Sequence, residues 1–126
     1  MTASDLAVVD SSGWLEYLTG GPKADQFEPY LANPLSLLVP SIVIYEVRKV
    51  LLAKRPRIEA DLFLSQALRG SPVAFDERLA IAAAEISIEK KLAMADAIIY
   101  TTALRFEAHL YTGDHHFSGL DGVTVF

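Results

Sequence analysis

The chain has 126 residues, of which 52% are hydrophobic and 21% are charged, and its formal net charge at pH 7 is −5. This composition excludes a disordered chain, and the length fits one globular domain over residues 1–126. The acidic balance excludes a general electrostatic attraction to nucleic acid, and the absence of cysteine excludes disulfides and thiolate metal sites. The sequence shows neither a signal-peptide pattern nor an apolar run of membrane-spanning length, so we expect a cytoplasmic protein without membrane contact.

Short apolar runs alternate with longer segments of helical periodicity, a pattern typical of an α/β fold with a parallel sheet. In the first half of the chain we predict a strand at 6–9, a helix that starts at 10–12 and stops at 20–22, a helix at 24–32 and a strand at 36–39. A helix capped by Ser41 then runs to about Ala53, and another helix follows at 58–68. In the second half we predict a strand at 73–75, an alanine-rich helix capped by Asp76 and running to Lys91, a helix at 95–107, and strands at 109–112 and 123–126.

Four acidic residues stand at positions that suggest a common site. Asp10 directly follows the first predicted strand, and Asp114 follows the 109–112 strand after one glycine. Functional groups of parallel sheets gather beyond the carboxyl ends of the strands, so both acids are expected at the same edge. Glu46 and Asp96 lie on predicted helices, and most residues three or four positions from each are apolar. A carboxylate on such an inward-packing face is costly unless a cation or hydrogen bonds compensate it.

Each acid also has a structural interpretation that the sequence leaves open. Asp10 could serve as a helix N-cap and Asp114 as a turn residue. Asp96 could stabilise the first turn of its helix through the macrodipole, and Glu46 could pair with Lys49 at the surface. Taken together, however, clustered carboxylates must either share protons or hold a cation. An oxygen-only donor set favours Mg²⁺ or Mn²⁺, the ions that support phosphodiester cleavage.

Four blocks of the sequence, in order and spacing, resemble the motifs of PIN domains, in particular those of the VapC-type toxins of bacterial toxin–antitoxin pairs. The blocks are VVDSS at 8–12, SIVIYEV at 41–47, ADAIIYTTA at 95–103 and YTGDHHF at 111–117. The resemblance implies a single-domain α/β/α sandwich with a central parallel sheet of four to five strands. It also implies a magnesium- or manganese-dependent endoribonuclease that cleaves RNA by means of metal-activated water.

The resemblance assigns roles to individual residues. It makes Asp10, Glu46, Asp96 and Asp114 the acidic quartet that binds the metal, with Asp10 and Asp96 as its direct ligands. The hydroxyl groups of Ser11 and Thr112 would orient carboxylates or water. Some relatives carry a further acid where this chain has His116, so the resemblance supplies no fifth carboxylate.

The three histidines are predicted to have structural or surface positions. His115 and His116 are interpreted as exposed turn residues rather than ligands, although contact with a metal or with RNA phosphate stays open. His109 begins a strand, so we expect it to be structural.

Two surfaces suggest partners. Arg48, Lys49, Lys54, Arg55 and Arg57 form a basic run that is either a solvated helix end or a patch for RNA phosphates. By resemblance, the early helices and the 58–68 helix form a groove for a VapB-like antitoxin, and another face forms a homodimer. Most of the aromatic and apolar residues of these helices are expected in the core, and some could line the groove; they are Trp14, Leu18, Phe27, Tyr30, Leu62 and Phe63.

The sequence also bears on three other interpretations of this chain. A phosphoacceptor receiver domain needs paired acids after the first strand and a lysine after the last major strand, and the sequence has neither. A catalytically silent PIN-like interaction module would be marked by loss of one of the four acids, and all four are present. A PIN nuclease that processes RNA without being a toxin has the same sequence pattern and stays open.

Overall fold

The computed structural model describes residues 5–126. The helices and strands follow one another as β1 (Ala7–Val9), α1 (Ser11–Leu18), α2 (Ala24–Leu31), β2 (Leu37–Pro40), α3 (Ser41–Lys54), α4 (Arg57–Arg69), β3 (Ser71–Val73), α5 (Glu77–Lys90), α6 (Met94–Arg105), β4 (His109–Thr112) and β5 (Val123–Val125). Short 3₁₀ turns at Pro34–Ser36 and His115–Phe117 precede β2 and follow β4.

The five strands form one parallel sheet in the order β3-β2-β1-β4-β5. Every residue of β1 and β2 is buried, so helices cover both faces at the centre of the sheet. The predicted α/β architecture with four to five parallel strands is confirmed. Within residues 5–126, no helix has both the length and the apolar composition needed to cross a membrane.

The strand order reverses between β1 and β4. From β1 the chain moves outward to β2 and β3, and it then returns through α5 and α6 to place β4 on the other side of β1. Such a reversal opens a crevice at the carboxyl ends of the two central strands. β1 ends at Val9 and β4 ends at Thr112, so Asp10 follows the end of β1 directly and Asp114 follows the end of β4 after Gly113.

Helix α1 lies very close to β1 because its third residue is glycine. A Cβ atom at Gly13 would lie 2.6 Å from Val9 Cγ1 and 2.7 Å from Phe27 Cε1. Farther along α1, the fully buried Trp14 ring meets the Phe63 ring of α4 edge to face, at 5.1 Å between centroids. These contacts hold the N-terminus of α1 against the end of β1.

The core takes three of the six aromatic and apolar residues that the sequence marked. Trp14, Phe27 and Phe63 are fully buried, whereas Leu18 and Tyr30 are half-buried against the core. Leu62 differs from the rest, because 61% of its surface is exposed on α4.

Two local predictions were wrong. The third strand is Ser71–Val73 rather than 73–75, because β3 is an edge strand whose exposed side chains need no apolar alternation. Ser41 does not cap α3: Pro40 occupies the N-cap position, and the Ser41 hydroxyl accepts a hydrogen bond of 3.2 Å from the Phe75 backbone N–H. The Asp76 cap of α5 is confirmed by its hydrogen bond from the Leu79 N–H, at 2.9 Å.

Candidate metal centre

Asp10 lies at the bottom of the crevice and is buried. Its Oδ1 accepts hydrogen bonds from the Gly13 N–H at 3.0 Å and from the Ser12 hydroxyl at 2.8 Å, so it caps α1. Its Oδ2 accepts a hydrogen bond of 2.6 Å from the Thr112 hydroxyl. Burial raises the pKa of Asp10 above its ordinary value of 3.8, although these three hydrogen bonds oppose the shift.

Two hydroxyl groups join the start of α1 to the segment after β4. The Thr112 hydroxyl donates to Asp10 and accepts from the Asp114 N–H at 2.9 Å. The Ser12 hydroxyl also donates to Asp10, and it accepts from the Gly113 N–H at 3.2 Å. The position of Asp114 relative to Asp10 is therefore set through these two side chains. Ser12 was not singled out from the sequence, although it lies in the VVDSS block.

Glu46 reaches the same region from α3. Its Oε1 accepts a hydrogen bond of 2.6 Å from the Ser11 hydroxyl at the start of α1. The adjacent residues Val43 and Val47 are fully buried, so this part of α3 is anchored in the core. Ser11 therefore positions a carboxylate across 35 positions of sequence.

Asp96 approaches from the first turn of α6. Burial raises its pKa above 3.8, and the negative charges of Asp114, Asp10 and Glu46 raise it further, whereas the His116 imidazole lowers it. The other three predicted acids thus all affect the ionisation of Asp96, so the four lie close enough to interact electrostatically. Like charges at such proximity cannot all stay ionised cheaply without a counter-charge.

Asp114 and His116 complete the site on the turn after β4. The Asp114 Oδ1 accepts a hydrogen bond of 2.9 Å from the His116 N–H and lies 3.1 Å from His116 Nδ1. Asp96, Asp114 and His116 each offer a donor atom within 4.8 Å of the others. Among the described residues, Asp10 and Glu46 are not part of this three-residue group. His116 was interpreted from the sequence as a turn residue, and its proximity to Asp96 could not be read from local pattern.

The donor set fits a divalent cation. Carboxylate oxygens predominate, and hard cations such as Mg²⁺ and Mn²⁺ bind them at short range. Burial and, to a smaller extent, repulsion between the acids raise the pKa values of Asp10 and Asp96, and a cation here would offset both effects. The residues that could hold it are Asp10, Glu46, Asp96, Asp114 and His116.

The basic run occupies the C-terminal half of α3, its C-cap Arg55 and the first residue of α4, Arg57. Arg48 donates to the Ala60 carbonyl at 3.0 Å and to Asp61 at 3.1 Å, so its guanidinium joins α3 to α4. Arg55 pairs with Glu59 at 3.0 Å. Lys49 and Lys54 are exposed, and the Lys49 ammonium lies over the Tyr45 ring.

Residues 7–123 match the family profile of the PIN domain. The chain belongs to the PIN-domain family. This match extends from β1 into β5, and it includes all four acids. The sequence has no significant match among curated proteins.

Solved structures share this PIN fold at low sequence identity. A toxin–antitoxin complex from Klebsiella pneumoniae aligns with a TM-score of 0.81 and 22% identity, covering 94% of this chain and 96% of that one. VapC20 of Mycobacterium tuberculosis, described as a toxin that cleaves the sarcin–ricin loop, aligns at 0.75 and 17%, covering 94% and 98%. DNA-bound VapBC from Salmonella typhimurium aligns at 0.77 and 16%, covering 96% of each chain.

Proposed function

We propose that this chain is a Mg²⁺- or Mn²⁺-dependent endoribonuclease and the toxin of a VapBC-type toxin–antitoxin pair. The observation that carries the proposal is the convergence of four carboxylates from separate segments of the chain on one crevice; they are Asp10, Glu46, Asp96 and Asp114. Membership of the PIN family supports a nuclease. The toxins and toxin–antitoxin complexes that share the fold support the toxin assignment.

The four carboxylates hold the cation in this proposal. Among the carboxylates, Asp96 and Asp114 have donor atoms within 4.8 Å of each other, and Asp10 and Glu46 add negative charge to the same site. When bound, the divalent cation supplies Lewis acidity to the attacking water and to the phosphate. The protein contributes the fixed orientation of the carboxylates, which hydrogen bonds from Thr112, Ser12 and Ser11 maintain.

The RNA backbone would contact basic residues on the same helix as Glu46. Lys49 lies three residues after Glu46, and Lys54 lies eight residues after it, about 12 Å along the helix axis. Arg48 and Arg55 take part in ion pairs with α4 and add positive charge to the same surface. Local positive charge is needed because the chain as a whole is acidic and would otherwise repel phosphate.

The antitoxin would occupy a groove of about 310 Å³ on α2 and α4. Its walls include Leu31 and Pro34 on one side and Leu62 and Arg69 on the other. The exposed apolar face of Leu62 and the charge of Arg69 suit an amphipathic peptide segment with acidic residues. We further expect a homodimer through another face of the molecule.

Two alternatives are kept as outcomes of the test. A PIN nuclease with a role in RNA processing would cleave RNA with the same residues, but no small antitoxin would bind and inhibit it. A silent interaction module would show no metal-dependent cleavage. The complete quartet favours an active nuclease over a silent module.

Cleavage of a mixed RNA pool by the purified protein tests the proposal. We expect activity with Mg²⁺ or Mn²⁺, loss of activity with a chelator, and loss in Asp10→Asn and Asp96→Asn. Asp121→Asn is the control, because Asp121 is exposed and lies just before β5, at the edge of the parallel sheet opposite to the carboxyl ends that form the crevice. Chelator-resistant cleavage, or full activity in both quartet variants, would falsify the mechanism. Inhibition by the product of a small neighbouring gene would separate a toxin from an RNA-processing nuclease.

A further inference from the structure

A nitrogen donor lies within the carboxylate cluster. His116 Nδ1 is 3.1 Å from Asp114 Oδ1, and the side chains of Asp96, Asp114 and His116 present donor atoms within 4.8 Å of one another. The His116 side chain is 80% exposed. Its donor atom is therefore accessible to solvent while it lies close to those of the two carboxylates.

The backbone holds His116 in this place. Asp114 is the N-cap of the 3₁₀ turn His115–Phe117, and its carboxylate accepts the His116 N–H at 2.9 Å. Phe117 is fully buried and anchors the end of the turn. His115 precedes it on the same turn and is also exposed, yet it is outside the three-residue group among the described residues. The turn thus selects one of two adjacent histidines.

The spacing suits a shared ion. Adjacent ligands of an octahedral ion with bonds of about 2.1 Å stand about 3 Å apart, which is the separation of His116 Nδ1 and Asp114 Oδ1. We propose that His116 is a nitrogen ligand of the cation held by Asp96 and Asp114, and that it shifts the preference of the site from Mg²⁺ toward Mn²⁺ and other transition-metal ions. This inference rests on the proposed function, because it concerns the same cation.

The selectivity follows from ligand chemistry. Mg²⁺ strongly prefers oxygen ligands and retains its waters, so an imidazole adds little to its binding. Transition-metal ions bind imidazole well, and among the divalent first-row ions Mn²⁺ has the lowest affinity and Cu²⁺ the highest. Removal of His116 should therefore weaken the binding of Mn²⁺ and Co²⁺ much more than that of Mg²⁺.

Pulsed electron paramagnetic resonance of the Mn²⁺-loaded protein tests the ligand directly. An imidazole ligand adds a nitrogen modulation to the Mn²⁺ echo. The chain has three histidines that could supply such a ligand. We expect the modulation in wild type and in His115→Ala, and its loss in His116→Ala. Modulation that persists in His116→Ala, or is absent from Mn²⁺-loaded wild type, would overturn the proposal.

Calorimetric titration measures the selectivity. We expect His116→Ala to lower Mn²⁺ affinity by about tenfold and Mg²⁺ affinity by no more than about twofold. His116→Gln keeps a polar side chain and guards against a packing effect, and circular dichroism checks that each variant is folded. Equal losses for both ions would contradict the inference.

RNA cleavage in Mg²⁺ separates the two proposals. If wild type cleaves RNA with Mg²⁺ but its Mn²⁺ affinity does not depend on His116, only the histidine ligand is rejected. If wild type binds neither Mg²⁺ nor Mn²⁺ and its titrations are identical to those of Asp96→Asn, both the proposed metal site and the histidine ligand are rejected.

Discussion

Thr112 and Asp10 are 102 positions apart in sequence, and the Thr112 hydroxyl donates a hydrogen bond of 2.6 Å to Asp10 Oδ2. The same hydroxyl accepts the Asp114 N–H, so a single side chain connects two of the four acids. Both partners are buried, and a buried polar group that loses its partner costs more than the hydrogen bond itself. This contact orients the Asp10 carboxylate and keeps β4 in register with the end of β1.

Thr112→Val should destabilise the fold by about 1–3 kcal/mol, because it removes a hydrogen bond to Asp10 and leaves the Asp114 N–H without its acceptor. Thr101→Val is the matched control. Among the residues that the structure describes, the buried Thr101 hydroxyl has no hydrogen-bond partner, so its replacement should leave stability unchanged or increase it. Urea denaturation measures both variants, and equal effects would contradict the role of Thr112.

The contribution of Asp10 and Asp96 to the stability of the metal-free protein should fall as pH rises. Burial raises the folded-state pKa values of Asp10 and Asp96 above the ordinary value of 3.8. Their contribution favours the folded chain fully below that ordinary value and is lost as pH increases through the raised values. As far as these two groups determine it, the melting temperature in chelator should be lower at neutral pH than at acidic pH.

Two comparisons isolate this effect from the other titrating groups. Asp96→Asn removes a half-buried charge, so it should melt a few degrees higher than wild type at neutral pH in chelator and show a smaller difference in acid. Added Mg²⁺ or Mn²⁺ should stabilise wild type at neutral pH and Asp96→Asn much less. If the melting temperature of wild type without a cation increases as pH rises and Asp96 ionises, the proposed repulsion between the acids would be contradicted.

Gly13→Ala should destabilise the fold although alanine is the better helix former. The helix propensity gain is about 0.5–1 kcal/mol, whereas a Cβ 2.6 Å from Val9 Cγ1 forces repacking that costs about 1–3 kcal/mol. Gly113→Ala is the control, because its Cβ would meet Ser12 Oγ at 3.6 Å and Phe27 Cζ at 3.8 Å, which are ordinary contacts. If Gly13→Ala is the more stable of the two in urea, the close approach of α1 to β1 is wrong.

Charge reversal of Lys54 and Arg55 should weaken RNA binding while leaving the fold intact. If both contact phosphate, their loss reduces the slope of log affinity against log salt concentration by about 1.4 for single-stranded RNA. The double variant Lys90→Glu and Lys91→Glu changes the net charge equally on α5 and its cap. Filter binding at several salt concentrations compares the two, and identical slopes would reject the basic patch.

Leu62→Asp should weaken binding of the proposed antitoxin and leave RNA cleavage by the isolated chain intact. Leu62 is 61% exposed and lines the groove on α2 and α4. Leu68→Asp is the control, because Leu68 lies on the same helix with 55% exposure but does not line that groove. Co-purification of the tagged antitoxin measures both, and retention by Leu62→Asp would place the antitoxin on another surface.

The sequence by itself determined the α/β architecture and the positions of the acids relative to the strands and helices. Hydrophobic periodicity and strand-end position are local properties, so Asp10 and Asp114 were readable as neighbours at one edge of a parallel sheet. The N-cap role of Asp76 was readable for the same reason. The edge strand β3 was misplaced because its side chains are exposed and carry little periodic signal.

Only the tertiary structure decided which groups meet. Ser11 contacts Glu46 across 35 positions, and the Ser41 hydroxyl binds the Phe75 backbone rather than capping α3. His116 stands beside Asp114 through a short turn, but its proximity to Asp96 depends on how α6 packs beside β4. Such distances result from chain crossovers and side-chain packing, which bring residues together without leaving a periodic pattern in the sequence between them.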